Sequence, residues 1–253
     1  MASECSSLFS EALLSVSARA SRVVVLTGAG VSAESGVPTF RDPDGLWMKY
    51  RPQDLASFEA FMADPQRVWE WYQHRRSIIE TVQPNPGHYA LAEMERLFPD
   101  FILVTQNIDN LHRRAGSERV IELHGNIERN LCIACRKPWT GSDPASGEVP
   151  RCACGGLIRP DVVWFGEPLP EENLRAAWDA SERCELFLSV GTSGEVYPAA
   201  HLPLVARQHG AYVVEINPRP SALARSMHER IAGPSGEILP ALVLQIRRMR
   251  MTA

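Results

Sequence analysis

Two pairs of cysteines, Cys132-x2-Cys135 and Cys152-x-Cys154, stand 16 residues apart around a loop-rich stretch with Trp139, Gly141, Pro144, Gly147 and Pro150. Four thiolates brought together suit tetrahedral Zn²⁺ with no open position, which makes the ion structural and not catalytic. The second pair is one residue tighter than the common Cys-x2-Cys knuckle. The alternative, four unligated thiols, would leave a segment with little else to stabilise it. A second set of residues suits a phosphate-bearing ligand. Gly28-Ala29-Gly30-Val31-Ser32-Ala33 follows the apolar run Val23–Thr27 and has small residues at the three positions of a dinucleotide turn. The first glycine permits a tight bend and the second lets backbone approach a pyrophosphate. Ser32 or Ser35 is expected to start a helix whose N–H groups and dipole favour an anion. A strand–helix turn that uses glycine for geometry alone reads the same way.

Three further groups carry polar chemistry. Gln106-Asn107-Ile108-Asp109 closes the apolar run Phe101–Thr105, where ligands of open α/β sheets bind, although a polar loop cap has the same composition. His124 follows Val120–Leu123, and an imidazole at a strand end is either a general base near neutral pH or a structural group. Tyr72 and Arg75 lie one helical turn apart in a segment where Val68, Trp71, Tyr72, Arg75, Ile78 and Ile79 follow a buried-face rhythm. A guanidinium on an apolar face needs an anion. An internal Asp or Glu, a path out to water, or an incoming carboxylate held by Arg75 with the Tyr72 hydroxyl would each serve.

The elements that must position these groups alternate in type. Residues 8–20 read as a helix with Leu8, Leu13, Val16 and Ala20 on one face, and Val23–Thr27 as a buried parallel strand. Asp64-Pro65 opens the helix that carries Tyr72 and Arg75, with Asp64 as cap. Pro84–Gly87 is a turn, and a helix resumes over His88–Leu97 with His88 as a packing or capping residue. Strands follow at 101–105, 120–123, 186–190 and 212–216, with a helix at about 171–181. Arg159–Glu167 is either a core strand or an edge that pairs with a peptide. Gly191-Thr192-Ser193-Gly194 and Asn217-Pro218 end the last two strands with small and polar groups suited to ribose and phosphate.

In this order the motifs resemble those of the sirtuins, NAD-dependent protein lysine deacylases. The glycine turn followed by Pro38-Thr39-Phe40-Arg41-Asp42-Pro43-Asp44-Gly45-Leu46-Trp47 is similar to the family's opening NAD motif. Gln-Asn-Ile-Asp, Leu-His-Gly, the cysteine pairs and Gly-Thr-Ser then come in family order over Val23–Leu242. The resemblance implies an α/β fold, a Rossmann-like parallel sheet domain with a smaller inserted domain containing a zinc ribbon. The NAD-binding domain would comprise 1–45, 81–127 and 159–253, and the small domain 46–80 and 128–158.

It also implies site roles. NAD would be bound by Gly28, Ala29, Gly30, Ala33, Glu34, Phe40, Arg41, Trp47, Gln106, Asn107, Ile108, Asp109, His124, Gly191, Thr192, Ser193, Asn217, Pro218 and Ser235. His124, Asn107 and Asp109 would be catalytic, with His124 drawing a proton from a ribose hydroxyl as the acyl oxygen attacks C1′. Val162, Trp164 and Phe165 would flank an acyl-lysine tunnel. Tyr72-x-x-Arg75 resembles the acyl-pocket pair of the class III members, which favour succinyl-, malonyl- and glutaryl-lysine. Cys132, Cys135, Cys152 and Cys154 would hold one structural Zn²⁺. Products would be nicotinamide, free lysine and O-acyl-ADP-ribose.

Composition bounds the alternatives. The chain has 253 residues, 45% hydrophobic and 22% charged, with a formal net charge of −4. That is ordinary for a globular protein and lacks the basic balance of a nucleic-acid binder. No apolar run reaches membrane-spanning length, and the start of the chain lacks the basic region of a signal peptide. A cytoplasmic monomer acting on acylated protein lysines is expected, with no membrane or direct nucleic-acid partner; a processed organelle form fits equally. Cys5 and Cys184 stand apart and need no role. An ADP-ribosyltransferase would use the same nucleotide site, and a non-catalytic zinc-ribbon module would need neither NAD nor His124. A hydride-transferring dehydrogenase is disfavoured because no acidic ribose reader follows the glycine turn at the usual distance.

Overall fold

A run such as Val23-Val24-Val25-Leu26 is stable only where both faces of a strand are covered, and in the computed structural model all four residues are 2% exposed or less. The structure describes residues 8–38, 52–142 and 147–251. The chain begins with α1 (Glu11–Arg19), β1 (Arg22–Thr27) and the short α2 (Ala29–Ala33). Four helices follow: α3 (Pro52–Leu55), α4 (Phe58–Ala63), α5 (Pro65–Thr81) and α6 (Pro86–Leu97). The middle holds β2 (Asp100–Thr105), α7 (Leu111–Arg114), β3 (Val120–Glu122), β4 (Gly125–Cys132), β5 (Pro138–Trp139) and β6 (Ile158–Val162). The chain then forms α8 (Glu171–Arg183), β7 (Leu186–Val190), α9 (Leu202–Gln208), β8 (Tyr212–Ile216), β9 (Glu229–Ile231) and α10 (Ser235–Met251).

Six strands form one sheet in the order β3-β2-β1-β7-β8-β9, all parallel. Alternate side chains enter two cores. Val23, Val25, Leu103, Leu188 and Val214 join residues of α1, α6 and α10 on one face. Val24, Leu26, Val104, Phe187 and Val213 join residues of α8 and α9 on the other. The chain leaves β1 toward β2 and β3, then returns to β7 on the opposite side of β1. The carboxyl ends of β1 and β7 thus form the switch point where ligands of such sheets bind.

The second, three-stranded antiparallel sheet has the order β5-β4-β6. Helix α5 packs on it and shares a core in which Phe61, Val68, Tyr72, Ile79, Ile127, Val162 and Trp164 are buried. Asp64 caps α5 by accepting from Arg67 N at 3.1 Å, with Pro65 at the first position as the sequence predicts. Asn85 and His88 form a reciprocal capping box at the start of α6, which settles His88 as a capping residue.

Two core expectations need correction. Leu8 is 52% exposed and Phe9 is buried instead, because Ser10 caps α1 and Leu8 precedes the helix. In α5, Trp69 is buried where periodicity favours Trp71, because a second small core, with Cys132 and Ile158, meets the helix from the cysteine side. No helix among the described residues is long and apolar enough to cross a membrane.

Candidate active site

The glycine turn works by close approach. A Cβ on Gly30 would lie 2.8 Å from Gly191 Cα, and one on Gly28 would lie 2.9 Å from Gly191 O. Gly191 itself has φ +61°. The ends of β1 and β7 therefore meet backbone to backbone, with Gly30 N donating to Gly191 O at 2.9 Å. Helix α2 starts at Ala29 with Gly28 as N-cap and no side-chain cap. This corrects the expectation that Ser32 or Ser35 starts the helix, because the tight turn already completes the bend at Gly28. A helix start without a side-chain cap, at the switch point and beside side-chain-free backbone, fits a pyrophosphate.

The other sequence-predicted NAD residues surround this turn. Asn217 Nδ2 donates to Thr192 O at 2.9 Å, tying the ends of β7 and β8, and Ser193 O accepts from Ala222 N. Pro218 O accepts from Arg230. Ser235 Oγ and Gly236 N each donate to Glu34 Oε1 at 2.9 Å, so Glu34 holds the start of α10 against the end of α2. Ala33 lies in the last position of α2. Phe40, Arg41 and Trp47 lie outside the described residues.

Below the turn lies a buried polar floor. Asn107 Nδ2 donates to Gly28 O at 3.0 Å and to Ser32 Oγ at 3.2 Å. Ser32 Oγ donates to Asp109 Oδ2 at 2.7 Å and lies 3.4 Å from His88 Nε2. Burial pushes the Asp109 carboxyl up from its ordinary value, while Ser32, the Leu111 N–H and the nearby Arg75 charge oppose the shift. Ser32 is a site residue that sequence reasoning missed, since a serine in a glycine turn reads as a helix cap.

His124 sits between β3 and β4 with Nδ1 2.9 Å from Gln106 O. A carbonyl only accepts, so Nδ1 carries the proton and Nε2 is left as a base. Burial lowers the pKa of His124, and the Gln106 bond partly offsets it. Glu122 brackets this residue. Its carboxylate accepts from Asn126 Nδ2 at 2.9 Å and pairs with Arg113 and Arg129 at 3.2 and 2.7 Å. The residues two before and two after His124 are thereby joined. His124 O accepts from Val163 N, which carries the chain beyond β6 past the histidine.

Tyr72 and Arg75 are both buried, and the Tyr72 hydroxyl accepts from Trp164 Nε1 at 2.9 Å. Trp164 is fixed in turn by the Arg159 guanidinium stacked on its ring, and Arg159 forms a fork–fork pair with Glu167. Burial raises the Tyr72 pKa to about 12, so its own hydrogen stays available for donation. Burial lowers the Arg75 pKa, while Tyr72 and Asp109 support its charge.

One cavity of about 510 Å³ collects these groups. Ala29, Gln106, Asn107, Ile108, Asp109 and His124 line one part of it. Tyr72, Arg75, Val162, Trp164 and Phe165 line the other. Val162 and Trp164 are buried, while Phe165 is 46% exposed and pairs with Ala56 through a backbone hydrogen bond.

The four cysteine sulfurs lie within 4.8 Å of one another, despite the short second knuckle. Cys135 Sγ and Cys152 Sγ are 3.8 Å apart, which suits two thiolates on a tetrahedral ion with Zn–S of about 2.3 Å. The cluster is compatible with one structural zinc. Cys154→Ser is expected to reduce bound zinc from about one per chain toward none, as measured by metal analysis. The lost metal binding also lowers Tm, by about 2–4 °C for each kcal/mol of stability lost in a domain of this size.

This chain and its fold have close counterparts. The Sir2 family model matches residues 28–198. An NAD-dependent protein deacylase 2 of Pyrobaculum aerophilum is 52% identical over 230 residues, 90% of this chain and 92% of that protein. NAD-dependent protein deacylase 1 of Pseudomonas aeruginosa is 49% identical over 242 residues, covering 92% and 97%. A solved complex of a Sir2 homologue with NAD superposes with TM-score 0.89 at 45% identity, covering 95% and 94%. A Sir2 complex with a p53 peptide and NAD⁺ gives 0.83 at 34% identity, covering 93% and 97%. The chain belongs to the Sir2 family, the sirtuins. It is an enzyme of the NAD-dependent protein deacylase class.

Proposed function

We propose that this deacylase removes succinyl and malonyl groups, and more weakly acetyl groups, from protein lysines. The observation that carries this reading is the presence of Tyr72 and Arg75 in the same cavity as His124 and Asn107. The buried Arg75 guanidinium and the Tyr72 hydroxyl, one helical turn apart on the cavity wall, would give the carboxylate of an acidic acyl group a charged and a neutral donor. Acetyl has no carboxylate to accept from them. NAD supplies the ribose carbon that takes up the acyl oxygen, with nicotinamide as leaving group.

The residues divide the remaining work. Gly28, Ala29 and Gly30 receive the pyrophosphate, aided by Gly191, Thr192 and Ser193. Asn217, Pro218 and Ser235 face the adenosine end, with Ala33 and Glu34 in support. Gln106 and Ile108 stand at the reacting end, the part of the NAD site to which the family resemblance also assigns Phe40 and Arg41. Asn107 and Asp109 orient ribose and water, and His124 Nε2 takes a proton from a ribose hydroxyl. Val162 and Trp164 wall the lysine tunnel, with the exposed Phe165 at its mouth. The NAD-binding unit is assigned to 1–45, 81–127 and 159–253, and the small unit to 46–80 and 128–158.

The test is one peptide carrying succinyl-, malonyl- or acetyl-lysine, with turnover measured with and without NAD. The acidic acyl groups are expected to give the higher kcat/KM, with free lysine, nicotinamide and O-acyl-ADP-ribose formed in equal amounts. ADP-ribosylated peptide in their place, or a preference for acetyl, would overturn the reading.

A further inference from the structure

His112 belongs to none of the roles above, yet it is 3% exposed and lies directly under the nucleotide turn. It sits on α7, and its Nε2 is 2.9 Å from Thr27 Oγ1. Thr27 and Thr105 are register partners at the carboxyl ends of β1 and β2, and their hydroxyl oxygens are 2.8 Å apart. Thr105 Oγ1 accepts from Asn107 N at 3.0 Å, and the Asn107 side chain is held by Gly28 O and Ser32 Oγ. A continuous chain of hydrogen bonds thus runs from His112 through two threonines to the backbone of Asn107.

The protons in this chain can be ordered. His112 Nδ1 is buried and has no hydrogen-bond partner among the described residues. A ring N–H fixed in that direction would be an orphaned donor, which buried sites rarely tolerate, whereas a bare ring nitrogen costs less. The proton is therefore assigned to Nε2, which donates to Thr27 Oγ1, and the Thr27 hydroxyl donates on to Thr105. His88 packs against the same ring at 4.8 Å between centroids. Burial lowers the pKa of both rings, His88 to about 4, which keeps the pair neutral.

We infer that His112 is a positioning residue for Asn107, holding it at the reacting end through Thr27 and Thr105. The inference rests on the proposed role of Asn107. His112 does not line the cavity, so replacing it would leave the cavity wall in place while loosening the backbone of Asn107, which does line it.

The experiment measures kcat and KM for NAD and for acyl peptide in His112→Phe, His112→Gln, Thr27→Val, the His112→Phe/Thr27→Val double variant and Asn107→Ala. His112→Phe and Thr27→Val are each expected to lower kcat by about tenfold, the scale of a sub-ångström misplacement, with both KM values within about twofold. The double variant should be no slower than the singles, because both break the same chain. His112→Gln, whose amide N–H reaches the Nε2 position, should recover much of the His112→Phe loss. Losses that multiply to about a hundredfold in the double variant would overturn the relay, as would equal loss in Gln and Phe. Normal turnover in His112→Phe beside an inactive Asn107→Ala would overturn it and leave the site reading standing. A fully active Asn107→Ala would overturn both. The near-isosteric Thr27→Val keeps the test decisive if His112→Phe does not fold: normal kcat in that variant alone refutes the chain.

Discussion

His124→Ala is expected to lower NAD-dependent deacylation by about 10²–10⁴-fold, the usual contribution of a positioned general base. Tm and NAD affinity should be close to wild type. Among the described residues the His124 side chain is hydrogen-bonded to Gln106 O, and the loop is held by Glu122 and by the backbone contact with Val163. The pH profile gives a second readout. Only the neutral ring can take a proton, so the rate falls on the acid side as His124 becomes protonated. Burial has lowered its pKa, which places that acid limb below the ordinary histidine value of about 6.5. Substantial deacylation by the alanine variant, or an acid limb well above that value, would remove His124 from the chemistry. A Glu122→Gln control should move the limb little, because Glu122 braces the loop without touching the ring.

The sheet was legible because its strands are simple. Val23–Leu26, Phe101–Val104, Leu186–Leu188 and Tyr212–Val214 are unbroken hydrophobic runs, and the buried polar residues Thr27, Thr105, Ser189 and Glu215 come only toward their carboxyl ends. Helix starts were legible where a cap and a proline coincide, as at Asp64-Pro65. Sequence reading fell short where a residue answers to a partner far along the chain. Trp69 looks like the exposed neighbour of Trp71 until the cysteine sheet is packed against it. Leu8 fits the helical rhythm, but the Ser10 cap stops the helix before reaching it.

The same division holds in the site. Motifs whose chemistry is carried by local spacing, such as Gln106–Asp109 or the two cysteine pairs, could be read directly. Convergence of all four thiols, expected from the sequence, is brought about where β4 meets the residues that lead into β6. Ser32 and His112 are more telling. A serine within a glycine turn and a histidine on a short basic helix carry no signal of their own. Each acquires meaning from a hydrogen bond across more than seventy residues, Ser32 to Asp109 and His112 to Thr27. Arg159 is similar: its place on the Trp164 ring, which in turn fixes the Tyr72 hydroxyl, has no trace in periodicity.

Arg75→Met should separate acyl preference from catalysis. Methionine fills much of the same volume without the charge, so the cavity wall is retained. Truncating one partner of a buried, charge-assisted pair costs about 2–5 kcal/mol, which predicts a loss in succinyl kcat/KM on the order of 10²-fold or more. Acetyl turnover should stay within a few-fold, because the acetyl methyl offers Arg75 no acceptor. Tyr72→Phe should cost succinyl less, since it removes a neutral donor, though it also strands the Trp164 indole N–H that now donates to the phenol oxygen. One coupling must be tracked. Arg75 opposes the upward shift of the Asp109 pKa, so its loss raises that value further. A fall in acetyl turnover that recovers as pH rises therefore belongs to Asp109, whose ionised form returns above its pKa. A fall shared equally by succinyl and acetyl at every pH would instead make Arg75 a structural residue and end the case for acidic acyl groups.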